Sequence, residues 1–111
     1  MTRYVDIASL EDIPAQGARL IRTTDGCVAL FRTADNRVFA LDDHCPHKGG
    51  PLSEGIVHGH QVTCPLHDWV FDLTTGAARG ADQGAVRTWP VRVERGRILI
   101  SAESLMRGKA A

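Results

Sequence analysis

Two short segments, Cys45-Pro46-His47 and Cys64-Pro65-Leu66-His67, carry the most informative residues of this chain. Sixteen residues separate them, and each segment offers one thiol and one imidazole at close spacing. Two cysteines and two histidines are enough to coordinate one metal centre. The spacing therefore predicts a metal site built from two loops. The predicted ligands are Cys45, His47, Cys64 and His67.

Two kinds of centre are compatible with this ligand set. Structural zinc takes two Cys and two His, but usually as a Cys pair followed by a His pair. Here each segment is mixed, and both lie in stretches rich in Gly and Pro. In a 2Fe–2S cluster, one Cys from each loop can hold one iron while one His from each loop holds the other. The mixed order favours the cluster, and zinc is the alternative.

The remainder of the chain has the pattern of short strands separated by turn-forming residues. Strands are expected at residues 3–7, 18–23, 27–33, 37–41, 59–64, 69–73, 86–94 and 97–101. Turns are expected at residues 24–26, 34–36, 74–76 and 95–96. The pattern predicts an all-β fold, an antiparallel β-sandwich or small barrel with the site in its loops.

The length of 111 residues predicts one domain, residues 1–111. Within it, loops 44–55 and 64–72 would bind the metal, residues 79–84 would cover it as a third loop, and residues 104–111 would form a short flexible tail.

Four further residues have predicted environments. Cys27 shares a strand face with Ala29 and Phe31, so we expect a small core residue rather than a reactive thiol. Pro90 lies inside a predicted strand, which indicates an edge position or a bulge. His58 and His60 are expected to be solvated. We expect His44 to be exposed, and its influence on the metal centre is left open.

Charge and hydropathy exclude several classes of partner. Thirteen Lys and Arg balance thirteen Asp and Glu, which does not indicate binding to nucleic acid or to an anionic membrane. No signal peptide and no apolar run of membrane-spanning length is present, so a soluble, cytoplasmic protein is predicted. Five acids lie between residues 38 and 72 against the single base Lys48. This excess is either ordinary solvated surface or an acidic rim that steers docking onto a basic partner.

The two loops resemble those of a known family. His47-Lys48-Gly49-Gly50-Pro51-Leu52 and the stretch from Cys64 to Asp72 are similar to the cluster loops of Rieske-type ferredoxins. Residues 80–84 and 86–91 are most similar to the small subunit of bacterial NAD(P)H-dependent nitrite reductase. The resemblance covers nearly the whole chain. It implies a Rieske fold, a 2Fe–2S cluster and one-electron transfer.

The resemblance also implies a partner. This would be a large nitrite reductase subunit carrying FAD, an iron–sulfur cluster and sirohaem, which reduces nitrite to ammonia with NAD(P)H in nitrate assimilation. The chain itself has no G-x-G-x-x-G nucleotide loop and no recognisable catalytic set, so no turnover is expected from it alone. A stand-alone Rieske ferredoxin serving a ring-hydroxylating oxygenase is the alternative. A zinc-stabilised interaction module is the second alternative.

The residues around the predicted ligands also indicate a low reduction potential. High-potential members of the family carry a disulfide between the loops, and Gly50 and Leu66 stand at those positions here. Those members also place Ser and Tyr after the second His, where this chain has Trp69 and Phe71. Neither side chain offers a hydroxyl to the cluster. We therefore expect a potential of about −150 mV or somewhat lower.

Overall fold

The structure, a computed structural model, describes residues 3–23, 26–43, 51–65, 68–79 and 84–101. These residues form strands in three antiparallel sheets and two single-turn 3₁₀ helices, which confirms the all-β prediction. The strands are β1 (Tyr4–Ser9), β2 (Ala18–Thr23), β3 (Gly26–Arg32), β4 (Val38–Asp42), β5 (Ile56–His58), β6 (Gln61–Thr63), β7 (Val70–Asp72), β8 (Thr88–Trp89), β9 (Val91–Glu94) and β10 (Arg97–Ser101). The 3₁₀ helices are Leu10–Asp12 and Leu52–Glu54.

The central layer is the sheet β2-β3-β4-β8, which is covered on both faces. Val28 and Leu30 of β3 point to one face, where they pack with residues of the sheet β1-β10-β9. Ala29 and Phe31 point to the other face, where they pack with residues of the sheet β5-β6-β7. Because both faces are buried, β3 has a continuous apolar run instead of an alternating one.

The small sheet β5-β6-β7 carries the second predicted metal-binding segment. Val57, Val62 and Phe71 lie opposite one another across its three strands and are all buried against the central layer. The neighbouring cross-strand row faces outward, and its edge residue Ile56 is 70% exposed. Since side chains alternate along a strand, the next inward position after Val62 is Cys64.

The predicted strand 86–94 is wrong as a single element. The chain pairs with β4 through Thr88 and Trp89, leaves that sheet at Pro90, and joins β10 in another sheet from Val91 onward. Pro90 is therefore the crossing point between two layers, and because β8 and β9 are both edge strands of their sheets, the predicted edge position is confirmed. Its missing N–H makes it suited to a position between two hydrogen-bonded ladders.

The prediction for Cys27 is also wrong, because this side chain is exposed. The assignment of its strand face holds, since the neighbouring positions Ala29 and Phe31 are fully buried. The buried cluster on this face reaches Ala29 but does not extend to Cys27, which is the second residue of β3. The sheet β5-β6-β7, which covers this face, does not reach as far as Cys27.

Besides parts of the two predicted metal-binding loops, three other predicted segments fall wholly or partly outside the described residues. They are the turn residues Thr24 and Asp25, residues 80–83 of the third loop, and the tail 104–111. In the described part of the chain, no helix is long and apolar enough to cross a membrane.

Candidate metal centre

Cys64 is the predicted ligand that the structure describes. It directly follows β6, the middle strand of its sheet, and its side chain is fully buried. It belongs to the same buried cluster as Leu52, Val62 and Phe71. An apolar shell of this kind keeps water away from a thiol and from anything that the thiol binds.

The second loop leaves and re-enters the sheet at adjacent points. The backbone N–H of Cys64 donates a 2.7 Å hydrogen bond to the carbonyl oxygen of Trp69, which closes the loop. Asp68, just before the closing residue, has φ of 57° and lies in the left-handed region. Leu66 and the predicted ligand His67 lie between these closing residues and outside the described part of the chain. The two ends of the second loop are thus joined by a backbone hydrogen bond.

Trp69 and Phe71 fill the space beside Cys64. Phe71 is completely buried, Trp69 is half-buried against the same cluster, and their ring centroids are 6.2 Å apart. Phe71 is therefore part of the core, and Trp69 packs against it. The side chain of Phe71 also has no hydroxyl to place near the thiol.

The first loop is described only at its two ends. The predicted ligands Cys45 and His47 lie outside the described residues, as do His44, Gly49 and Gly50. At the entrance, the Asp43 N–H donates to the Cys27 carbonyl oxygen over 3.0 Å. At the exit, Leu52 is fully buried in the cluster that contains Cys64. The loop therefore starts at a hydrogen bond to the central sheet and ends in the buried cluster.

Asp42 links the first loop to the region that follows the third loop. Its carboxylate accepts a 2.8 Å hydrogen bond from Trp89 Nε1 and lies 3.3 Å from Arg87 Nη2. The Arg87 guanidinium in turn stacks on the Trp89 ring, 4.2 Å from its centroid. This contact network fixes the end of β4, from which the first loop begins.

Three of the five acids between residues 38 and 72 are engaged in contacts within the fold. Asp42 is engaged as described above, and Asp43 accepts a hydrogen bond from the backbone N–H of Ser53. Asp72 accepts from the backbone N–H groups of Thr74 and Thr75 and pairs with Arg79. These three acids support the fold around the loops. Glu54 and Asp68 are the exposed acids of the set.

His58 and His60 are only half-buried rather than fully solvated, and each has a partner. His58 Nε2 lies 2.7 Å from the hydroxyl oxygen of Thr63, the residue before Cys64. His60 Nε2 lies 3.1 Å from Asp35 in the turn between β3 and β4. Sequence reasoning missed these contacts, because neither Thr63 nor Asp35 is marked as a partner by local spacing.

Comparison with known proteins identifies the family. The profile of the Rieske-like [2Fe–2S] domain matches residues 3–101, which include both predicted metal-binding segments. The chain belongs to this family. A Rieske-like domain holds a 2Fe–2S cluster and transfers electrons, which confirms the cofactor and the general function predicted from the sequence. The buried thiol of Cys64 and the closed loop beyond it fit such a cluster.

Relatives of this Rieske domain include dioxygenase ferredoxins and nitrite reductase small subunits. The ferredoxin component of the naphthalene 1,2-dioxygenase/salicylate 5-hydroxylase systems of Ralstonia sp. is 30% identical over 90% of this chain and 96% of its own length. The 3-phenylpropionate/cinnamic acid dioxygenase ferredoxin subunit of Photorhabdus laumondii is 37% identical over 86% and 90%. A solved structure described as an NADH-dependent nitrite reductase small subunit from Mycobacterium tuberculosis has a TM-score of 0.80 at 27% identity, covering 91% of this chain and 96% of that one.

Proposed function

We propose that this Rieske domain relays single electrons through a cluster held by four residues from two loops. Cys45 and Cys64 would bind one iron, and His47 and His67 would bind the other. The observation that carries the proposal is the position of Cys64, buried next to a loop that closes between Cys64 and Trp69. His67 belongs to that loop. The first loop starts at a hydrogen bond to the central sheet and ends at Leu52, in the buried cluster that contains Cys64.

The residues around the site would act on the cluster through burial and hydrogen bonding. When bound, the cluster supplies a centre that accepts and returns one electron. Neutral imidazole ligands leave the oxidised cluster with less negative charge than four thiolates would, which makes reduction easier. The rings of Trp69 and Phe71 exclude water. Because Phe71 has no hydroxyl to stabilise added negative charge, we expect a potential of about −150 mV or somewhat lower.

The experiment is to purify the chain without oxygen and to record its iron and sulfide content, visible spectrum and EPR spectrum after dithionite reduction. We expect a red-brown protein with a rhombic EPR signal. His47→Cys or His67→Cys should lower the potential or lose the cluster, because each adds a thiolate charge. His60→Cys is the matched control, since His60 pairs with Asp35 on another element. A colourless, zinc-loaded protein, or unchanged spectra in both loop variants, would contradict the proposal.

For the electron partner, we propose the large subunit of an NAD(P)H-dependent nitrite reductase. Support comes from the similarity of residues 80–91 to the small subunits of such enzymes, and from the TM-score of 0.80 with a structure so described. FAD, sirohaem and the NAD(P)H site would then reside on the partner, and a cytoplasmic location would follow from its nicotinamide supply. Co-purification of this chain with a sirohaem protein, and nitrite-dependent oxidation of NAD(P)H by the complex, would support this assignment.

A ring-hydroxylating oxygenase is the second candidate partner. The dioxygenase ferredoxins from Ralstonia sp. and Photorhabdus laumondii match most of this chain and most of their own length, which favours it specifically. If the reduced protein passes electrons to an oxygenase and none to a sirohaem subunit, the order of the two candidates is reversed.

A further inference from the structure

Asp43 is the last described residue before the first loop. Its carboxylate accepts a 2.7 Å hydrogen bond from the backbone N–H of Ser53, ten residues further along the chain. Its own N–H donates to the carbonyl oxygen of Cys27 on β3. Asp43 is thus attached to the central sheet and also holds the far end of the loop that contains Cys45 and His47.

The bond to Ser53 has a local reason. The 3₁₀ helix Leu52–Glu54 follows Pro51, which provides no side-chain hydrogen bond to the helix. The first N–H groups of a helix have no partner within it. The Asp43 carboxylate acts as an acceptor from outside the helix for the N–H of Ser53. A hydrogen bond to a charged acceptor is about twice as strong as one between neutral groups. The contact is part-buried, which limits competition from water.

The exit of the first loop is in turn packed tightly against the strand that delivers Cys64. Leu52 is fully buried in the cluster that contains Cys64. At Gly55, an added Cβ would lie 2.2 Å from the carbonyl oxygen of Thr63, the residue before Cys64. No side chain fits between these two backbones. A displacement of the 3₁₀ helix would therefore be transmitted directly to β6.

We infer that Asp43 is a positioning residue that sets the distance between the two halves of the cluster site. By holding Ser53, it joins the start of the first loop to the exit of that loop, which packs against the strand that presents Cys64. This inference rests on the proposed function, since it assumes that Cys45 and His47 bind the cluster together with Cys64 and His67. Asp43 acts through the backbone and does not itself touch the iron.

The test compares Asp43→Ala and Asp43→Asn with the unmodified protein. Removing the acceptor should increase the rate of iron loss to a chelator about 10-fold or more. It should also broaden the EPR signal of the reduced protein, because the two loops are then less well aligned. Asp43→Asn keeps an oxygen that can accept from Ser53, so it should restore much of the wild-type iron retention and line shape.

Asp12→Ala is the matched control. Asp12 also accepts a hydrogen bond from a backbone N–H at the start of a 3₁₀ helix, namely that of Ser9, but this helix, Leu10–Asp12, follows β1 and contributes nothing to the buried cluster that contains Cys64. We expect this variant to lose stability without any change in EPR signal or iron retention. Circular dichroism of each purified variant with its cluster reports whether it is folded.

Three results would overturn the inference. One is wild-type iron retention and EPR signal in Asp43→Ala. Another is an Asp43→Ala protein that does not fold, which would make Asp43 a general stability residue. The third is an identical defect in Asp12→Ala. A wild-type protein that binds no 2Fe–2S cluster is a different outcome, because it contradicts the proposed function itself.

Discussion

Asp68 is a non-glycine residue in the left-handed region, with φ of 57°, and its side chain is exposed. A Cβ in this conformation costs about 1–2 kcal/mol, and Asp and Asn tolerate it better than most residues. Asp68→Val should therefore destabilise the protein by about 1–2 kcal/mol and speed iron loss, whereas Asp68→Gly should not. Urea unfolding and chelator kinetics measure both effects.

Arg95→Val is the control for this prediction. Arg95 has φ of 52° and lies in the turn between β9 and β10. The variant therefore carries similar backbone strain, but at a position distant in sequence from the two metal-binding loops. It should lose stability without faster iron loss. If Asp68→Val behaves like Arg95→Val, the conformation of Asp68 has no specific role in holding the second loop.

Asp35 gives the protein a predictable response to acid. Its hydrogen bond from the Thr33 hydroxyl, followed by that from His60, holds the pKa of the carboxyl below its usual value of 3.8. Because the pKa is lower in the folded state, the stabilisation is fully present above 3.8 and is lost as the pH falls through the folded-state pKa. Asp35→Asn should be less stable than the wild type at neutral pH, and the difference should shrink in acid.

The measurement is urea unfolding of both proteins at about pH 7, 5 and 2.5. Asp6→Asn should behave in the same direction, since the hydrogen bond from Arg97 lowers the pKa of Asp6 in the same way. A difference in unfolding free energy between wild type and Asp35→Asn that stays constant over this range would contradict the assignment.

At the scale of elements, the exit of the first loop approaches the backbone of β6 very closely. Gly55 has no room for a side chain, because a Cβ would meet the Thr63 carbonyl at 2.2 Å. The obstacle is backbone, which cannot rotate away as a side chain would. One of the two elements must therefore move if this residue is enlarged.

Gly55→Ala should cost about 1–3 kcal/mol of stability and should accelerate iron loss, because the residue after Thr63 is Cys64. Gly59→Ala is the control. Gly59 has φ of 56° and open space where a methyl group would be added, so its substitution brings backbone strain of about 1 kcal/mol without a clash. Equal iron retention in the two variants would show that the close approach does not support the site.

At the scale of the whole molecule, the central sheet separates two buried clusters. One lies under the small sheet and contains Val62 and Cys64, and the other contains Val38 with residues of β10. Both clusters contribute to folding, since each buries large apolar side chains. Among the described residues, the predicted ligand is Cys64, and it lies in the first cluster.

Val62→Ala and Val38→Ala test this division with the same chemical change. Their exposed fractions are 0% and 8%, so each truncation should cost about 2 kcal/mol of stability. Only Val62→Ala should also increase iron loss and alter the EPR line shape. The idea of separate clusters fails if Val38→Ala changes the EPR signal as much as Val62→Ala does.

Local sequence was sufficient for the all-β class, for most strand positions and for the cofactor. The alternation of apolar and polar residues, the turn-forming residues and the two mixed Cys and His segments each extend over only a few residues. Such short-range patterns can be recognised from the sequence without a structure. The strands β2 and β10 match the predicted ranges 18–23 and 97–101. The missed 3₁₀ helix at Leu10–Asp12 also had a local signal, since Ser9 and Asp12 form its capping box.

Tertiary structure alone decided which surface each strand end meets. Cys27 has the same alternation as its buried neighbours but lies beyond the covering layer, and Pro90 marks a change of sheet that no local pattern encodes. The adjacent acids Asp42 and Asp43 look alike in sequence, yet one holds Trp89 and the other holds Ser53. The reason is physical: these roles depend on which distant residues the packing of three layers brings within hydrogen-bond range.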